Sequence, residues 1–226
     1  MYIISKGKMQ EELLSWYKKN GRDLPWRRTK DPWAILLSEI LLQQTQVSRG
    51  ILYWERLIEK FPTPHDMALA STDQVLYFWK GAGYYSRARR LHQLTKIICK
   101  PKSEGGYEGE IPNDFYKLRK LPGIGNYTAA AVASIAFGKN EACVDGNIKR
   151  IISRQEAKKT LTEKAIQNIA NDWLVTDSAG DWNQALMDLG SMICTPKKPR
   201  CEKCPLFSNC KGRDSPEEFP KQKKKR

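Results

Sequence analysis

The stretch Leu121–Asp145, LPGIGNYTAAAVASIAFGKNEACVD, decides how the rest of this 226-residue chain is organised. Its opening PGIG, residues 122–125, excludes a regular helix there and favours a tight turn with positive φ. Residues 126–138 carry almost no polar side chains and end at a glycine, which is the pattern of a buried helix with a glycine stop.

A glycine turn in front of a helix leaves backbone N–H groups unpaired, and such a terminus binds anions. With a preceding helix at Asp114–Lys120, the sequence predicts a helix–hairpin–helix. The net charge of +14 and the isoelectric point near 9.5 indicate a polyanionic partner, so nucleic acid is the leading interpretation. On turn chemistry alone, an ordinary αα-hairpin without a ligand is an equally good alternative.

Length and composition limit the class of protein. The chain is long enough for one large domain or two small lobes, and 40% hydrophobic residues with seven tryptophans argue against disorder. It contains no run of about 18 apolar residues that could span a membrane. The N-terminal MYIISKGKMQ is too weakly apolar for a signal peptide. We therefore expect an intracellular protein with no membrane partner.

The apolar periodicity predicts an all-α fold. Asp31 and Pro32 form an N-cap and first-turn pair that opens a helix running to about Thr45. Further helices are expected at residues 11–19, 52–61, 71–80, in part of 155–177, and at 181–192, with another beginning just after Asp145.

Glu39 is the one acid in the helical sequence WAILLSEILLQQTQ. Its helical neighbours Ile35, Leu36 and Leu42 are apolar, so it lies on or beside the buried face. Burial disfavours a carboxylate, so we expect its pKa above the ordinary value of about 4.3 and a proton available near neutral pH. The alternative is a boundary glutamate that reaches solvent or an arginine.

Four cysteines with the spacing C-x6-C-x2-C-x5-C lie near the C-terminus: Cys194, Cys201, Cys204 and Cys210. Such a density in an intracellular chain favours a metal over disulfides, and the spacing alone allows zinc or an iron–sulfur cluster. The other two cysteines, Cys99 and Cys143, have apolar neighbours and are expected to be buried thiols without a role.

Two adjacent tyrosines, Tyr84 and Tyr85, follow a pair of glycines and precede a basic helix. They are either core aromatics or side chains that stack into a duplex.

The hairpin LPGIGNYTAAA followed by VDGNIKR resembles the helix-hairpin-helix and Gly/Pro-Asp signature of the DNA glycosylase superfamily that includes endonuclease III. From about Trp16 to Cys210 the chain is further similar to the MutY family of adenine DNA glycosylases, through LLSEILLQQTQV, WKGAGYYSRARRLHQL and the cysteine spacing. It departs from that family at Ala82, where leucine is usual, and in a shorter segment at residues 155–177.

The resemblance implies a two-lobed helix-hairpin-helix glycosylase fold with a cleft. Residues 30–140 would form a six-helix-type lobe that carries the hairpin. Residues 1–29 with 141–210 would form the second lobe, ending in a loop that holds a [4Fe-4S] cluster on the four cysteines. Residues 211–226 would be a basic tail or linker, in which Lys221–Arg226 adds salt-sensitive affinity for DNA. Residues 211–226 do not resemble the family's second domain, a reader of oxidised guanine, so we expect these 226 residues to lack that reader.

The same resemblance implies the roles of individual residues. Glu39 would protonate adenine, Asp145 would stabilise the cationic sugar or capture it covalently, and Tyr127 and Asn147 would complete the catalytic site. From the residues alone, Asp145 is equally a helix N-cap. The implied contacts to substrate or DNA are Tyr84 as the wedge, Gln44 as the plug, Arg22, Leu24, Trp26 and Gln184 in the base pocket, and Gln43, Thr45, Gly123 and Gly125.

The expected function is a monofunctional DNA glycosylase of base excision repair that removes adenine paired with 8-oxoguanine or guanine in double-stranded DNA. Bifunctional relatives carry lysine where this chain has Tyr127. An amide pairs well with the edge of adenine, so Gln43, Gln44 and Gln184 favour that base. The alternatives are a thymine or uracil mismatch glycosylase and a non-catalytic DNA-binding module. We expect a monomer that acts in the cytoplasm or nucleoid, or in a nucleus.

Overall fold

The fold is known from a computed structural model that describes residues 5–221. Every regular element within that range is helical, which confirms the all-α prediction. The α-helices are α1 (Lys6–Asn20), α2 (Pro32–Leu41), α3 (Val47–Lys60), α4 (Pro64–Leu69), α5 (Thr72–Trp79), α6 (Tyr85–Ile98), α7 (Phe115–Arg119), α8 (Asn126–Phe137), α9 (Gly146–Gln155), α10 (Glu163–Trp173) and α11 (Ala179–Met192).

The chain divides into two compact units. The central unit is Asp23–Phe137, and the split unit combines the residues up to Arg22 with those from Gly138 onward. These boundaries differ by several residues from the predicted lobes, 30–140 and 1–29 with 141–210. The predicted cleft stays a prediction. Of the predicted tail, residues 222–226 lie outside the described range.

The central unit is built on α2. Nine of its ten residues are buried, with α3 and α8 packed against it. Helix α6 packs on α4 and α5 in the same unit. The start of α2 is as predicted: Asp31 accepts hydrogen bonds from the backbone N–H groups of Trp33 and Ala34, at 3.1 and 3.3 Å, and Pro32 occupies the first helical position.

The end of α2 differs from the prediction. The helix stops at Leu41 rather than near Thr45, and α3 begins at Val47, earlier than expected. Gln44 adopts a left-handed backbone with φ 59°, which no α-helix contains. The guanidinium of Arg87 takes the carbonyl oxygens of Ile40, Leu41 and Gln43 as acceptors, so a distant side chain replaces the next helical turn.

The helix–hairpin–helix is present as α7 and α8. Gly123 has φ 82°, and a Cβ there would lie 3.2 Å from the Cβ of Arg90, so both the conformation and the space favour glycine. Gly138 follows α8 with φ 64°, as the predicted glycine stop requires.

The split unit is centred on α11, eleven of whose fourteen residues are buried. Helices α1 and α9 both pack against α11, and α10 packs on α9. No helix within residues 5–221 is both long and apolar enough to cross a membrane.

Candidate active site

Glu39 lies in the buried helix of the central unit. Its exposure is 7%, and its neighbours along α2, Ser38 and Ile40, are buried as well. The predicted position on a buried helical face is therefore confirmed. Its role as a proton donor stays a prediction.

The turn after α2, residues 42–46, carries three predicted DNA contacts, and their side chains lie in different surroundings. The amide Nε2 of Gln43 donates to Oγ1 of Thr128 on α8, at 3.3 Å. Gln44 is exposed and holds the left-handed conformation described above. Thr45 lies beside them and accepts a hydrogen bond from Arg87 on its Oγ1, at 3.3 Å.

Tyr84 caps the start of α6 in a second strained turn. It has φ 48° and ψ 60°, and 59% of its surface is exposed. The Arg87 guanidinium lies 5.5 Å from the centre of its ring, within cation–π range. Ala82, where the family usually has leucine, is buried in this turn. An exposed aromatic ring with a guanidinium packed against it is compatible with the predicted role of Tyr84 as the wedge.

Leu24 and Trp26 belong to the packed interior of the central unit. Both are buried, and the Trp26 ring meets that of Trp54 edge-on with centres 5.9 Å apart. The indole of Trp54 in turn donates to the carbonyl oxygen of Ala34, at 2.9 Å. A pair of tryptophans anchored to α2 thus forms part of the packed apolar interior of the unit.

The hairpin presents its turn to solvent. Gly123 and Gly125 are exposed, and the Arg119 guanidinium braces the turn by donating to the carbonyl oxygen of Ile124, at 3.2 Å. Tyr127, in the first turn of α8, is half-buried.

Asp145 caps α9 in the split unit, as one of its two predicted interpretations required. Its Oδ1 accepts from the backbone N–H of Ile148 at 2.7 Å, and its Oδ2 accepts from Nδ2 of Asn147 at 2.8 Å. The Asn147 oxygen accepts from Nη2 of Arg150 at 2.9 Å, and Nε of Arg150 donates to the carbonyl oxygen of Cys194 at 2.7 Å. Asp145 and Asn147 are therefore brought together and tied to the cysteine loop.

The approach of α11 to Asn147 depends on Gly190. A Cβ at this glycine would lie 2.5 Å from the Cβ of Asn147, closer than real contacts allow. Burial lowers the pKa of Arg150, whose remaining Nη2 contact is the carbonyl oxygen of Gly190 at 2.7 Å. Arg150 was not predicted from the sequence, because nothing in the local pattern GNIKR shows that its arginine is turned inward.

The segment that leads to Asp145 is held by a side chain that was likewise not predicted from the sequence. Asn183 on α11 is buried, accepts from the backbone N–H of Cys143 at 3.0 Å and donates to the carbonyl oxygen of Glu141 at 2.8 Å. These two bonds fix an extended stretch that has no helical partners of its own.

Arg22 makes a forked ion pair with Asp188. Its Nε and Nη2 lie 2.7 and 2.6 Å from Oδ1, and its backbone N–H donates to Oδ2 at 2.8 Å. Asp188 is 0% exposed. Gln184, one turn earlier on α11, is buried and its amide donates back to the carbonyl oxygen of Gly180 at 3.3 Å. Asp188 could have been found by the pattern that revealed Glu39, an acid inside an apolar helical run.

The four cysteines of the C-terminal loop line one small cavity together with Ile151, Leu189, Ile193 and Phe207. Burial raises the pKa of Cys204 to about 12 and that of Cys210 to about 11. Metal ligation requires thiolates, so a bound cation would have to offset this burial. The Arg154 guanidinium donates to Sγ of Cys194 at 3.2 Å. Four soft sulfur donors around one cavity fit an iron–sulfur cluster.

Within residues 5–221 no three Cys, His, Asp or Glu side chains, the four cysteines included, lie close enough together to hold a metal ion. The assignment of a [4Fe-4S] cluster to this loop stays a prediction. Of the remaining cysteines, Cys143 is buried, and Cys99 is half-buried with a pKa raised by burial.

The family model of the HhH-GPD superfamily base excision DNA repair proteins matches residues 37–175, more than half of the chain. The chain belongs to this superfamily. The matched range includes the second half of α2 with Glu39, the hairpin, and Asp145 at the start of α9.

Several adenine DNA glycosylases are similar to this HhH-GPD protein. The one from Homo sapiens is 41% identical over 91% of the chain, which spans 39% of that relative. The one from Buchnera aphidicola subsp. Acyrthosiphon pisum is 39% identical over 88% of the chain, which spans 57% of it. The chain thus spans about half the length of the curated relatives it matches.

Solved structures share the fold. A thermostable thymine-DNA glycosylase is 31% identical, with a TM-score of 0.85 over 92% of this chain and 96% of that one. A trapped covalent intermediate of endonuclease III with DNA has a TM-score of 0.78 over 93% of this chain and 98% of that one, at 23% identity. The second likeness concerns the fold alone.

Proposed function

We propose that this protein is a monofunctional adenine DNA glycosylase of base excision repair, which hydrolyses the N-glycosidic bond of adenine paired with 8-oxoguanine or guanine. The observation that carries the proposal is Glu39, a carboxyl on the buried face of α2, in a chain 41% identical to the human adenine DNA glycosylase. Its partner is double-stranded DNA, bound by a monomer, in the cytoplasm or nucleoid or in a nucleus. The net charge of +14 suits that partner.

A base must leave the stack before its glycosidic bond can be reached. Tyr84 is the wedge in this proposal, because it is aromatic, exposed and fixed at the start of α6. Gln44 fills the gap opposite the displaced base. The base pocket would be formed by Leu24, Trp26, Arg22 and Gln184. Gln43, Thr45, Gly123 and Gly125 would contact the surrounding DNA.

The chemistry begins with protonation of adenine at N7 by Glu39, which turns a poor leaving group into a neutral one. The bond between N9 and the sugar C1′ then breaks, with its electron pair leaving on the base. The sugar becomes oxocarbenium-like, as in glycoside hydrolysis. Water adds its hydroxide to C1′, and its proton returns to the Glu39 carboxylate.

Asp145 serves the cationic sugar in this scheme. Its carboxylate either stabilises the positive charge electrostatically or forms a bond to C1′ that water later breaks. Two hydrogen bonds fix its orientation, from Ile148 N–H and from Asn147. Tyr127 would complete the site from the start of α8.

Tyr127 also limits the reaction. A tyrosine has no amine, so it cannot form the Schiff base through which a lysine at this position would cleave the strand. The product should therefore be an intact strand with an abasic site. Borohydride traps the Schiff base of a lysine-bearing relative as a covalent complex with DNA. With this protein, the yield of such a complex should be far lower.

The residues that would hold a [4Fe-4S] cluster are Cys194, Cys201, Cys204 and Cys210. When bound, such a cluster would supply a covalent cross-link and a site of one-electron redox chemistry. The loop between the first two cysteines carries Lys197, Lys198 and Arg200, which suit contacts to phosphate.

The second candidate is a thymine or uracil mismatch glycosylase. It is favoured by one observation, the likeness to a thymine-DNA glycosylase at a TM-score of 0.85 with nearly complete coverage of both chains. A non-catalytic DNA-binding module is the alternative of another class.

One assay separates the three. The protein is incubated with end-labelled duplexes containing A·8-oxoguanine, A·G, G·T, G·U or A·T, and strand breaks are counted after alkali. Breaks at adenine in the first two duplexes alone support the proposal. Breaks at thymine or uracil would replace it with the mismatch function, and binding without breaks in any duplex would leave only the DNA-binding module.

A further inference from the structure

Arg87 is the most heavily hydrogen-bonded arginine of the central unit, and it has no role in the scheme above. It lies in the first turn of α6 and is 8% exposed. Its Nη1 donates to the carbonyl oxygens of Ile40, Leu41 and Gln43 at 2.9, 2.8 and 2.5 Å. Its Nη2 donates to the carbonyl oxygens of Ala82 and Gly83 at 3.1 and 3.2 Å.

These acceptors belong to two different segments. Nη1 donates to the end of α2 and to the turn 42–46, and Nη2 donates chiefly to the turn 80–84. The last carbonyl groups of a helix lack helical donors, and a cation there is also favoured by the helix dipole. Arg87 therefore ends α2 and joins it to the neighbouring turn through one planar group.

Both turns hold a non-glycine residue in the left-handed region, Gln44 with φ 59° and Tyr84 with φ 48°. Such conformations persist only where the surroundings enforce them. Arg87 contacts the backbone next to each of them, at Gln43 and at Gly83, and its guanidinium lies under the Tyr84 ring. Arg87 therefore touches both turns.

The bond pattern requires an arginine. A guanidinium presents donors from two separate nitrogens in a fixed fork, whereas a lysine has one nitrogen. The Nε of Arg87 is buried without a hydrogen-bond partner, so the position of this side chain costs one unsatisfied donor. Burial accordingly lowers the pKa of Arg87.

We infer that Arg87 is a positioning residue that sets the spacing between Gln44 and Tyr84, and so controls the opening of the base pair rather than the cleavage of the glycosidic bond. This inference rests on the proposed function, in which these two residues act as plug and wedge. Replacing Arg87 would remove this donor from the carbonyl oxygens of Ile40, Leu41, Gln43 and Ala82, whereas that of Gly83 would keep the indole N–H of Trp79 at 2.9 Å. Both turns would then be released from one another.

The test compares two substrates that differ in the cost of opening. One is an A·G duplex, and the other carries adenine opposite an abasic site, where no partner base has to be separated. Single-turnover excision is measured for wild type, Arg87→Met and Arg87→Lys. A 2-aminopurine placed next to the adenine reports unstacking by its fluorescence, which does not depend on excision.

Arg56→Met is the matched control. Arg56 also has a buried Nε without a partner, and its Nη2 donates to the carbonyl oxygen of Lys80 at 2.9 Å, in the same turn. It does not bridge to the turn 42–46. Thermal unfolding followed by circular dichroism shows whether each variant is folded, and Arg87→Lys carries the comparison if Arg87→Met is not.

We expect Arg87→Met to slow excision from A·G by about a hundredfold, the loss typical of a misplaced reacting group, with a matching delay in the fluorescence change. Excision opposite the abasic site should keep most of its rate. Arg87→Lys should fall between wild type and Arg87→Met, and Arg56→Met should resemble wild type.

Equal losses on both substrates, or unchanged unstacking in Arg87→Met, would overturn the inference, as would an equal loss in Arg56→Met. Wild-type protein that unstacks the duplex but removes no adenine would contradict the proposed function instead. In that case the fluorescence of the Arg87 variants still decides the role of Arg87.

Discussion

The two carboxyl groups assigned to the chemistry lie in contrasting surroundings. Glu39 is 7% exposed in the middle of α2, where nine of ten residues are buried. Asp145 is partly exposed at the start of α9 and accepts hydrogen bonds from a backbone N–H and from Asn147. Glu39 has been withdrawn from water, whereas Asp145 remains partly in contact with it at the end of a helix.

Under the proposed function, this contrast would give one fold an acid and an anion from the same functional group. Withdrawal from water disfavours a charged carboxylate, whereas hydrogen-bond donors and a helix N-terminus favour it. Pairs of titratable groups whose environments differ in this way commonly divide the acid and base roles. The variants below test that division, beginning with the largest expected effect.

Glu39→Gln should abolish the acid and keep the shape. We expect single-turnover excision of adenine to fall by roughly 2–4 decades, because an amide cannot supply the N7 proton. Duplex binding, measured by fluorescence anisotropy, should remain close to wild type. Ser38→Ala, one residue away on the same buried helix, is the control. A similar loss of excision in Ser38→Ala would mean that disturbed packing of α2, rather than the missing proton, slows the reaction.

Asp145→Asn should remove the anion and keep the helix cap, since asparagine caps helices about as well as aspartate. Excision should fall by about 10²–10³-fold, the usual effect of removing a charge that stabilises a transition state. Thermal stability should be nearly unchanged. A near-normal rate on A·G would remove Asp145 from the chemistry and reduce it to a structural cap.

Asn147→Ala tests whether the donors themselves matter. The carboxylate of Asp145 would lose one of its two hydrogen bonds and Arg150 would lose an acceptor. Since such a bond contributes about 1 kcal/mol, we expect roughly a fivefold to tenfold slower excision. Asn171→Ala on α10 is the control, because that amide is exposed and accepts only a local bond from Gln167. Equal rates in the two variants would show that Asp145 needs no help from Asn147.

Local signals were enough to predict much of this molecule. The glycines of the hairpin, the cap at Asp31 and the buried position of Glu39 all follow from neighbouring residues, so sequence patterns could indicate them. Asp188 was within reach of the same reasoning and was overlooked. The roles predicted for the remaining site residues stay predictions.

Long-range hydrogen bonds limit how much of the structure can be predicted from the sequence. The end of α2 was predicted wrongly because Arg87, distant in sequence, provides the donors that end the helix at Leu41. Arg150 and Arg154 likewise bond to carbonyl oxygens of the cysteine loop. In the sequence all three are ordinary basic residues, and only the fold determines which acceptor each one meets.

The smallest expected effect concerns His92, a buried titratable group outside the assigned chemistry. Burial is the main reason that its pKa lies below the ordinary 6.5, with Lys96 adding to the shift and a hydrogen bond to Ala70 opposing it. Above pH 6.5 the ring is neutral in both folded and unfolded chains. Below that value the unfolded chain takes up the proton more readily, so the free energy of unfolding should fall as the pH is lowered.

Urea unfolding at a series of pH values measures this for wild type and His92→Gln. The only other histidine, His65, is exposed, so His65→Gln is the control. The pH dependence should be weaker in His92→Gln than in wild type and unchanged in His65→Gln. A dependence shared equally by all three proteins would show that burial in α6 does not perturb the ring, and would weaken the same argument for Glu39.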